Sequence, residues 1–256
     1  MADNPQIYDK PTTVDGVRAV ELRYRAIRQT DTDNLAFYQS SMRLNSPSMG
    51  TLMPDRYLPV LDRTDQCVSV FKLALIQLLQ ASAKFTERGI DFDWSSIYMP
   101  LRLLKKSDCV KTVSEISEKY KISPDKICFE LSSSLLDEKD TDCAAAIKKL
   151  RSMGYRFMLA GAGGDRFPLM KLADHELDYI MLDREVTDML DVSERSDLCV
   201  KSMISFINEL GAEPVATGVS TAAQAFKLYN FECSFYTGEY AGNFMLERFV
   251  RKKQED

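Results

Sequence analysis

The stretch RSMGYRFMLAGAGGDRF (151–167) decides the fold class. It runs from the end of a helical pattern through the turn residue Gly154 into an apolar strand at 156–161 and a glycine-rich loop. Loops at the carboxyl ends of parallel strands carry the chemistry of barrel enzymes. Before Asp165, this loop has no side chain able to bind a metal or move a proton. The segment therefore predicts a catalytic scaffold that lacks its catalytic groups.

The same order of strand and helix recurs along the chain. Apolar strand patterns cover 17–27, 95–101, 126–132, 156–161, 179–185, 213–219 and 232–238. Helical patterns cover 31–42, 65–84, 107–119, 140–152, 166–173, 194–210, 221–229 and 243–251. Such alternation is typical of parallel strands joined by crossover helices. Residues 1–15 are polar and are expected to form a flexible lead, followed by a single domain over 16–256.

Composition and charge narrow the class of protein. The 256 residues, 45% of them hydrophobic and 28% charged, suffice for one large α/β domain. A formal net charge of −5 favours neither nucleic acid nor an anionic membrane as a partner. The six cysteines include no C-x-x-C pair, so a zinc or iron–sulfur site is not expected. With no signal-peptide pattern, the sequence predicts a cytoplasmic setting.

Four blocks of the chain resemble the EAL domain family, the bacterial phosphodiesterases that hydrolyse cyclic di-GMP. LGAEPVATGVSTAAQ (210–224) is similar to the family segment L-G-x-x-V-V-A-E-G-V-E-T-x-x-Q without a gap. The opening stretch (151–167) has the frame of L-G-x-x-x-A-L-D-D-F-G-T-G-Y-S. YIMLDREV (179–186) resembles the strand that ends K-I-D-x-x-F, and GTLMPDRYLPVLD (50–62) resembles G-x-x-x-P-x-x-F-I-P-x-A-E. The spacing between the blocks also agrees, from about Val17 to Phe249.

The resemblance implies an α/β fold, a TIM-like (β/α)8 barrel of the EAL type whose first strand runs antiparallel. It also implies a cage of acidic and amide side chains that holds one or two divalent metals. Those metals activate a water for attack on the phosphodiester, and a lysine helps to position that water.

Most positions of that cage carry neutral residues in this chain. By position, the paired aspartates correspond to Ala160 and Gly161, and the lysine corresponds to Met181. The other replaced positions are Tyr98, Ser133, Thr217, Ser220 and Thr237. The resemblance therefore implies that no catalytic residue set survives.

Three carboxylates match family positions: Glu21, Glu130 and Asp183. Glu21 is matched to the first residue of the signature triplet. As a metal site they would hold one Mg²⁺ or Mn²⁺ weakly, since hard cations require several oxygen ligands in fixed geometry. The alternative is that they are relics, in which Glu21 pairs with Arg25 along one strand face and Asp183 pairs with a nearby base. The sequence favours the relic interpretation, and therefore no metal cofactor.

A ligand site without catalysis is a separate hypothesis. The resemblance implies that Arg25, four positions after Glu21, lies near a ligand phosphate, with Arg166 and Arg184 adding charge at the same mouth. If cyclic di-GMP binds, the candidate ligand-binding residues are Arg25, Glu21, Glu130, Asp183, Gly161, Thr217 and Thr237. The glycines at 161, 163 and 164 are interpreted as a tight turn, because the G-x-G-x-x-G spacing is absent.

Three functions follow, in decreasing order of expectation. The first is a catalytically inactive regulatory protein of cyclic di-GMP signalling that acts through an unidentified protein partner. The second is a cyclic di-GMP receptor that binds without hydrolysis, and the third is a weak metal-dependent phosphodiesterase. GGDRFPLM (163–170) departs from the family's dimerisation loop, so a homodimer of the family type is only a weak expectation.

Overall fold

The fold is taken from a computed structural model that describes residues 13–14, 17–46, 48–137, 141–165 and 167–252. Of the predicted flexible lead 1–15, only Thr13 and Val14 belong to this set, and they pair with Val17 and Arg18. The rest of the lead and Arg166 lie outside the described residues.

The strands of the described part range from two to twelve residues in length. They are β1 (Thr13–Val14), β2 (Val17–Arg18), β3 (Val20–Gln29), β4 (Leu35–Ser46), β5 (Gly50–Leu52), β6 (Ser95–Tyr98), β7 (Ile127–Leu131), β8 (Arg156–Ala162), β9 (Tyr179–Leu182), β10 (Glu213–Ala216), β11 (Phe235–Tyr236) and β12 (Met245–Leu246).

Eight of these strands, β3, β4 and β6 to β11, close into a barrel. Strands β4 and β6 to β11 run parallel to one another. Strand β3 closes the barrel by pairing antiparallel with both β4 and β11. The predicted TIM-like barrel with an antiparallel first strand is therefore confirmed. Strands β5 and β12 extend the sheet outside the barrel, along β4 and β3.

The α-helices of the described part connect the strands and cover the outside of the barrel. They are α1 (Pro54–Leu61), α2 (Gln66–Glu87), α3 (Leu101–Leu104), α4 (Cys109–Tyr120), α5 (Thr141–Ser152), α6 (Arg184–Thr187), α7 (Glu194–Glu209) and α8 (Ala222–Asn230).

Two predicted helices are wrong. The segment 31–42 is a hairpin turn followed by the long strand β4, and 243–251 holds the short strand β12 and a 3₁₀ turn over Glu247–Phe249. In β4, Phe37 faces the barrel interior while Tyr38 faces the outer helices, and both are buried. Burial on both faces removes the strict alternation that identifies a strand from sequence.

Helix α2 is the most apolar element of the described part. By length and composition it could cross a bilayer, but half of its most apolar window is buried inside the protein. Its buried residues include Phe71, Leu75 and Leu79, which belong to the core between the barrel and its helices. Packing against the barrel accounts for its composition.

A second cluster of buried side chains fills the inside of the barrel. Its members come from all eight strands or the residues next to them: Ile27, Ala36, Phe37, Trp94, Cys128, Met158, Tyr179, Met181, Val215 and Phe235. The rings of Phe37 and Trp94 stack at 4.0 Å between centroids, and Trp94 Nε1 donates a hydrogen bond to the Tyr179 hydroxyl at 3.0 Å. This dense interior fixes the layer of side chains above it.

Candidate functional site

A single layer of side chains lies above the interior cluster, at the carboxyl ends of the parallel strands. Side chains alternate between the two faces of a strand, so the residue two positions beyond one interior residue of each strand also points into the barrel, counted from Phe37 on β4 and from Tyr179 on β9. We call this set the mouth layer: Arg25, Gln39, Ser96, Glu130, Ala160, Met181, Thr217 and Thr237. Strand β3 runs the opposite way, so its member precedes Ile27. The layer contains one cation and one carboxylate.

An amide side chain links that cation to that carboxylate. Arg25 Nη2 donates to Gln39 Oε1 at 3.1 Å, and Gln39 Nε2 donates to Glu130 Oε2 at 3.2 Å. Ser96 Oγ donates to the same Glu130 oxygen at 3.4 Å. The carboxylate that a metal ion would need is therefore already bound by hydrogen-bond donors of the chain itself.

The Arg25 guanidinium lies under an aromatic ring. Its central carbon is 4.3 Å from the centroid of the Phe244 ring, within the range of a cation–π contact. Burial lowers the pKa of Arg25, while the negative charges of Glu130 and Glu239 raise it. Because an arginine stays protonated in proteins, the mouth layer carries a permanent positive charge.

Glu130 is the one carboxylate of the mouth layer, and it is poorly solvated. Burial raises the pKa of Glu130, although hydrogen bonds from Gln39 and Ser96 and the charge of Arg25 act in the opposite direction. The cost of removing the carboxylate from water thus exceeds the stabilisation by its neighbours.

The raised pKa of Glu130 has a consequence for the pH dependence of stability. The folded protein binds the proton of the Glu130 carboxyl more tightly than the unfolded chain does. Glu130 therefore contributes most to the free energy of unfolding below pH 4.5, its ordinary pKa. That contribution is lost as the pH rises through the folded-state pKa. We expect the free energy of unfolding of the wild type, relative to Glu130→Gln, to fall between acidic and neutral pH. Urea denaturation of both proteins over this range measures it, and parallel pH profiles would contradict the assignment.

The two threonines of the mouth layer donate to backbone atoms. Thr217 Oγ1 donates to the Leu182 carbonyl at 2.8 Å, and Thr237 Oγ1 donates to the Ala26 carbonyl at 2.9 Å. Their hydroxyl protons are therefore already donated to backbone carbonyls within the barrel, so a ligand could only donate to these hydroxyls.

Gly161 has a φ of +89°, and the nearest atom to a Cβ at this position would be 3.9 Å away, on Ser133.

Glu21 does not join Glu130. Its carboxylate pairs with Arg23 Nε at 3.0 Å, so the expected pairing with Arg25 is wrong. Glu21 and Arg25 are four positions apart, which is about 13 Å along β3. Residues two apart on a strand share a face, which explains why Arg23 is the partner. The side chain that reaches Glu130 from the neighbouring strand is Gln39.

Asp183 caps a helix, whereas the sequence predicted an ion pair with a nearby basic residue. Its carboxylate accepts a hydrogen bond from the Glu185 backbone N–H at 3.0 Å and so caps helix α6. Among the described residues, no three His, Cys, Asp or Glu side chains lie close enough together to hold a metal ion. Glu21, Glu130 and Asp183 are thus three separate carboxylates.

The glycine-rich loop is a tight turn packed against its neighbours. Gly163 has a φ of +85°, and a Cβ there would lie 2.4 Å from Val186 Cγ2. Arg184, expected to add charge at the mouth, is instead largely exposed and pairs with Asp188 at 3.4 Å. Arg166, which was also expected to add charge at the mouth, lies outside the described residues.

Sequence reasoning missed Gln39, Ser96 and Phe244. Gln39 follows Phe37 by two residues and Ser96 follows Trp94 by two, so strand alternation would have found both once the strands were assigned correctly. Phe244 lies in the wrongly predicted last helix. No local pattern relates it to Arg25, which is more than two hundred residues earlier.

Comparison with known proteins identifies the family. A model described as the EAL domain matches residues 16–243, which is most of the chain. The chain belongs to the EAL domain family. This EAL domain has both the sequence pattern and the barrel topology of its family. The resemblance inferred from the four sequence blocks is therefore confirmed.

The individual relatives are distant. The signalling protein YkoW of Bacillus subtilis is 19% identical over 200 residues, 78% of this chain and 25% of YkoW. The EAL enzyme Bd1971, in its form bound to cAMP and cyclic di-GMP, superimposes with a TM-score of 0.80 at 19% identity, over 90% of this chain and 63% of that one. The MucR phosphodiesterase in complex with cyclic di-GMP gives a TM-score of 0.80 at 18% identity, over 91% of this chain and 94% of that one.

The EAL domain is one part of the relatives found by sequence. The chain spans between 25% and 31% of the length of the four curated relatives that it matches. At identities below 20%, the superposition with Bd1971 and MucR establishes the shared barrel fold.

Proposed function

We propose that this EAL domain is a catalytically inactive regulator of bacterial cyclic di-GMP signalling that acts through contact with a protein partner. One observation carries the proposal: the mouth layer holds a built-in cation, Arg25, linked through Gln39 to its single carboxylate, Glu130. Family membership supports the signalling context. A cytoplasmic setting is part of the same proposal.

The chemistry of the mouth layer supports the loss of hydrolysis. Metal-assisted attack on a phosphodiester needs several oxygen ligands on one ion, which then lowers the pKa of a bound water. In the mouth layer, Ala160 and Met181 stand where the family resemblance implies an aspartate and the lysine. A divalent cation entering this layer would meet the charge of Arg25 within the same hydrogen-bonded network.

If a protein partner binds the outside of the domain, its binding is expected not to depend on the residues of the mouth layer. Capture from a cell lysate depleted of cyclic di-GMP should retain the same partner on the wild type and on Arg25→Lys. We take the outer helices as the binding region, because the interior of the barrel is filled. Repeated captures that retain no specific protein would count against this function.

A second function, a non-hydrolysing cyclic di-GMP receptor, is favoured by one feature of Arg25. Its Nε atom is buried and has no hydrogen-bond partner, and so one donor of the guanidinium is left for a ligand. A phosphate oxygen is the acceptor that suits an arginine fork best. MucR and Bd1971 are described as bound to cyclic di-GMP, which makes this dinucleotide the ligand to test.

The receptor function is tested by calorimetric titration with cyclic di-GMP. If the dinucleotide contacts Arg25, Arg25→Lys keeps the charge but loses the planar fork, and the dissociation constant should rise about tenfold or more. The matched control is Arg23→Lys on the same strand, which should leave the affinity unchanged. Binding of cyclic di-GMP that is equally tight in wild type and Arg25→Lys would exclude a contact with Arg25. If the wild type gives no heat, the receptor function is excluded and the partner-binding function is the one that remains.

A further inference from the structure

A basic recess lies beside the barrel mouth and shares no residue with the mouth layer. Its volume is about 510 Å³, which falls in the range of small-molecule sites. The lining residues come from the ends of α1, α3 and β7: Asp62, Asp65, Leu101, Arg102, Lys105, Lys106, Ser132 and Ser134. We call it the Arg102 recess.

Three cationic side chains of the Arg102 recess come from one short stretch. Arg102 lies within α3, and Lys105 and Lys106 follow directly after it. Arg102 Nη2 also donates to the Arg63 carbonyl at 3.0 Å, which fixes the guanidinium against the loop after α1. A guanidinium held in place by backbone has lost part of its conformational entropy before any ligand arrives.

The acidic side chain opposite these cations is loosely held. Asp65 Oδ1 lies 3.3 Å from Arg102 Nη1 and 3.8 Å from Lys106 Nζ, and 74% of the Asp65 side chain is exposed. Ion pairs this exposed contribute little to stability. Asp65 therefore acts as a replaceable counterion, and a dianion of higher charge would compete with it for the same donors.

The second acidic side chain of the recess, Asp62, is held by a tyrosine. The Tyr98 hydroxyl donates to Asp62 Oδ2, and burial raises the pKa of Asp62. Ser132 and Ser134 also line the recess, and each adds a neutral hydroxyl group.

We propose that the Arg102 recess binds a phosphate monoester group. Three cations line the recess, one of them a positioned guanidinium, and together they match a tetrahedral dianion with several acceptor oxygens, while the two serines add neutral hydroxyl groups. The group can belong to a nucleoside monophosphate or to a phosphorylated side chain, since both present the same oxygens. The site is independent of the mouth layer and of hydrolysis.

The test uses calorimetric titration of the full chain with inorganic phosphate, GMP and O-phosphoserine. The double variant Arg102→Ala/Lys106→Ala should weaken phosphate binding about tenfold or more, and Asp65→Asn should strengthen it several-fold, because the competing counterion is removed. The matched control is Lys111→Ala, an exposed lysine outside the recess that pairs with Glu115.

Each outcome decides the proposal. Tighter binding of GMP than of phosphate identifies a nucleotide, and tighter binding of phosphoserine identifies a phosphorylated partner. Equal affinities for the three probes support recognition of the phosphate group alone, and binding of inorganic phosphate without either monoester would overturn the proposal. No heat from any of the three probes at millimolar concentration would overturn the proposal. Binding that is equal in wild type, the double variant and Asp65→Asn would also overturn it. Circular dichroism establishes that each variant is folded before it is titrated.

Discussion

Replacement of Arg25 by alanine is expected to destabilise the folded protein by about 1–3 kcal/mol at neutral pH, the range for leaving a poorly solvated hydrogen-bonding group without its partner. The variant leaves the half-buried Glu130 without the cation of its network, and it leaves Gln39 Oε1 without its donor. For a domain of this size, each kcal/mol lowers the melting temperature by about 2–4 °C. Urea denaturation followed by circular dichroism measures the change.

Arg23 provides the matched control for this variant. It lies two residues earlier on β3, and its partner Glu21 sits in a partly exposed pair at 3.0 Å. Arg23→Ala should cost less than about 1 kcal/mol. The cost of Arg25→Ala should also shrink at acidic pH, where Glu130 is protonated in the variant. Equal costs for the two arginines, or a cost of Arg25→Ala that is independent of pH, would contradict the proposed network.

Cyclic di-GMP is expected to remain intact in the presence of the domain with either Mg²⁺ or Mn²⁺. A metal-activated water supplies much of the acceleration of phosphodiester hydrolysis, and enzymes accelerate reactions by at least about 10⁶-fold. Without converging ligands among the described residues, that contribution is missing. Chromatographic measurement of the linear dinucleotide after prolonged incubation should match the buffer blank.

Two controls make this absence of turnover interpretable. An active EAL phosphodiesterase in the same buffer establishes that the substrate and the metals are competent. Glu130→Gln removes the carboxylate of the mouth layer while keeping its shape. Turnover by the wild type that disappears in Glu130→Gln would contradict the inactive assignment and would restore the weak phosphodiesterase. Turnover that persists equally in both would point to a contaminating enzyme.

Much of the barrel could be predicted from sequence because parallel strands and their crossover helices have strong local patterns. The strands at 95–98, 127–131, 156–162 and 179–182 fall within or close to their predicted ranges. Each is a short apolar run that ends in turn residues, and each precedes a helix with its own apolar face. Local patterning therefore specifies the order of the elements, and the order specifies the barrel.

The site was predicted less well, and the reason is one misassigned element. The segment 31–42 was predicted to be a helix, which removed Gln39 from the strand ends and left Glu21 as the residue matched to the signature position. In the structure, β4 contains Gln39, which contacts Glu130 directly, whereas Glu21 pairs with Arg23. Two-sided burial of β4 hides its alternation, so no single-sequence pattern separates it from a helix.

Contacts between distant parts of the chain were beyond sequence reasoning for a different reason. Phe244 covers Arg25, and Asp62 accepts from Tyr98, but neither pair lies within one element. Barrel closure brings these residues together, and closure depends on the register of all eight strands. Arg25 was singled out from the sequence, but its partners could be named only from the structure.

Titration with Mn²⁺, followed by electron paramagnetic resonance, tests most directly the central claim that Arg25 and Glu130 leave no place for a catalytic metal. We expect stoichiometric protein to leave the spectrum of free Mn²⁺ unchanged, for the wild type and for Glu130→Gln alike. Loss of the free-ion signal with at least one bound Mn²⁺ per chain, reversed by Glu130→Gln, would contradict it and would place a metal in the barrel mouth.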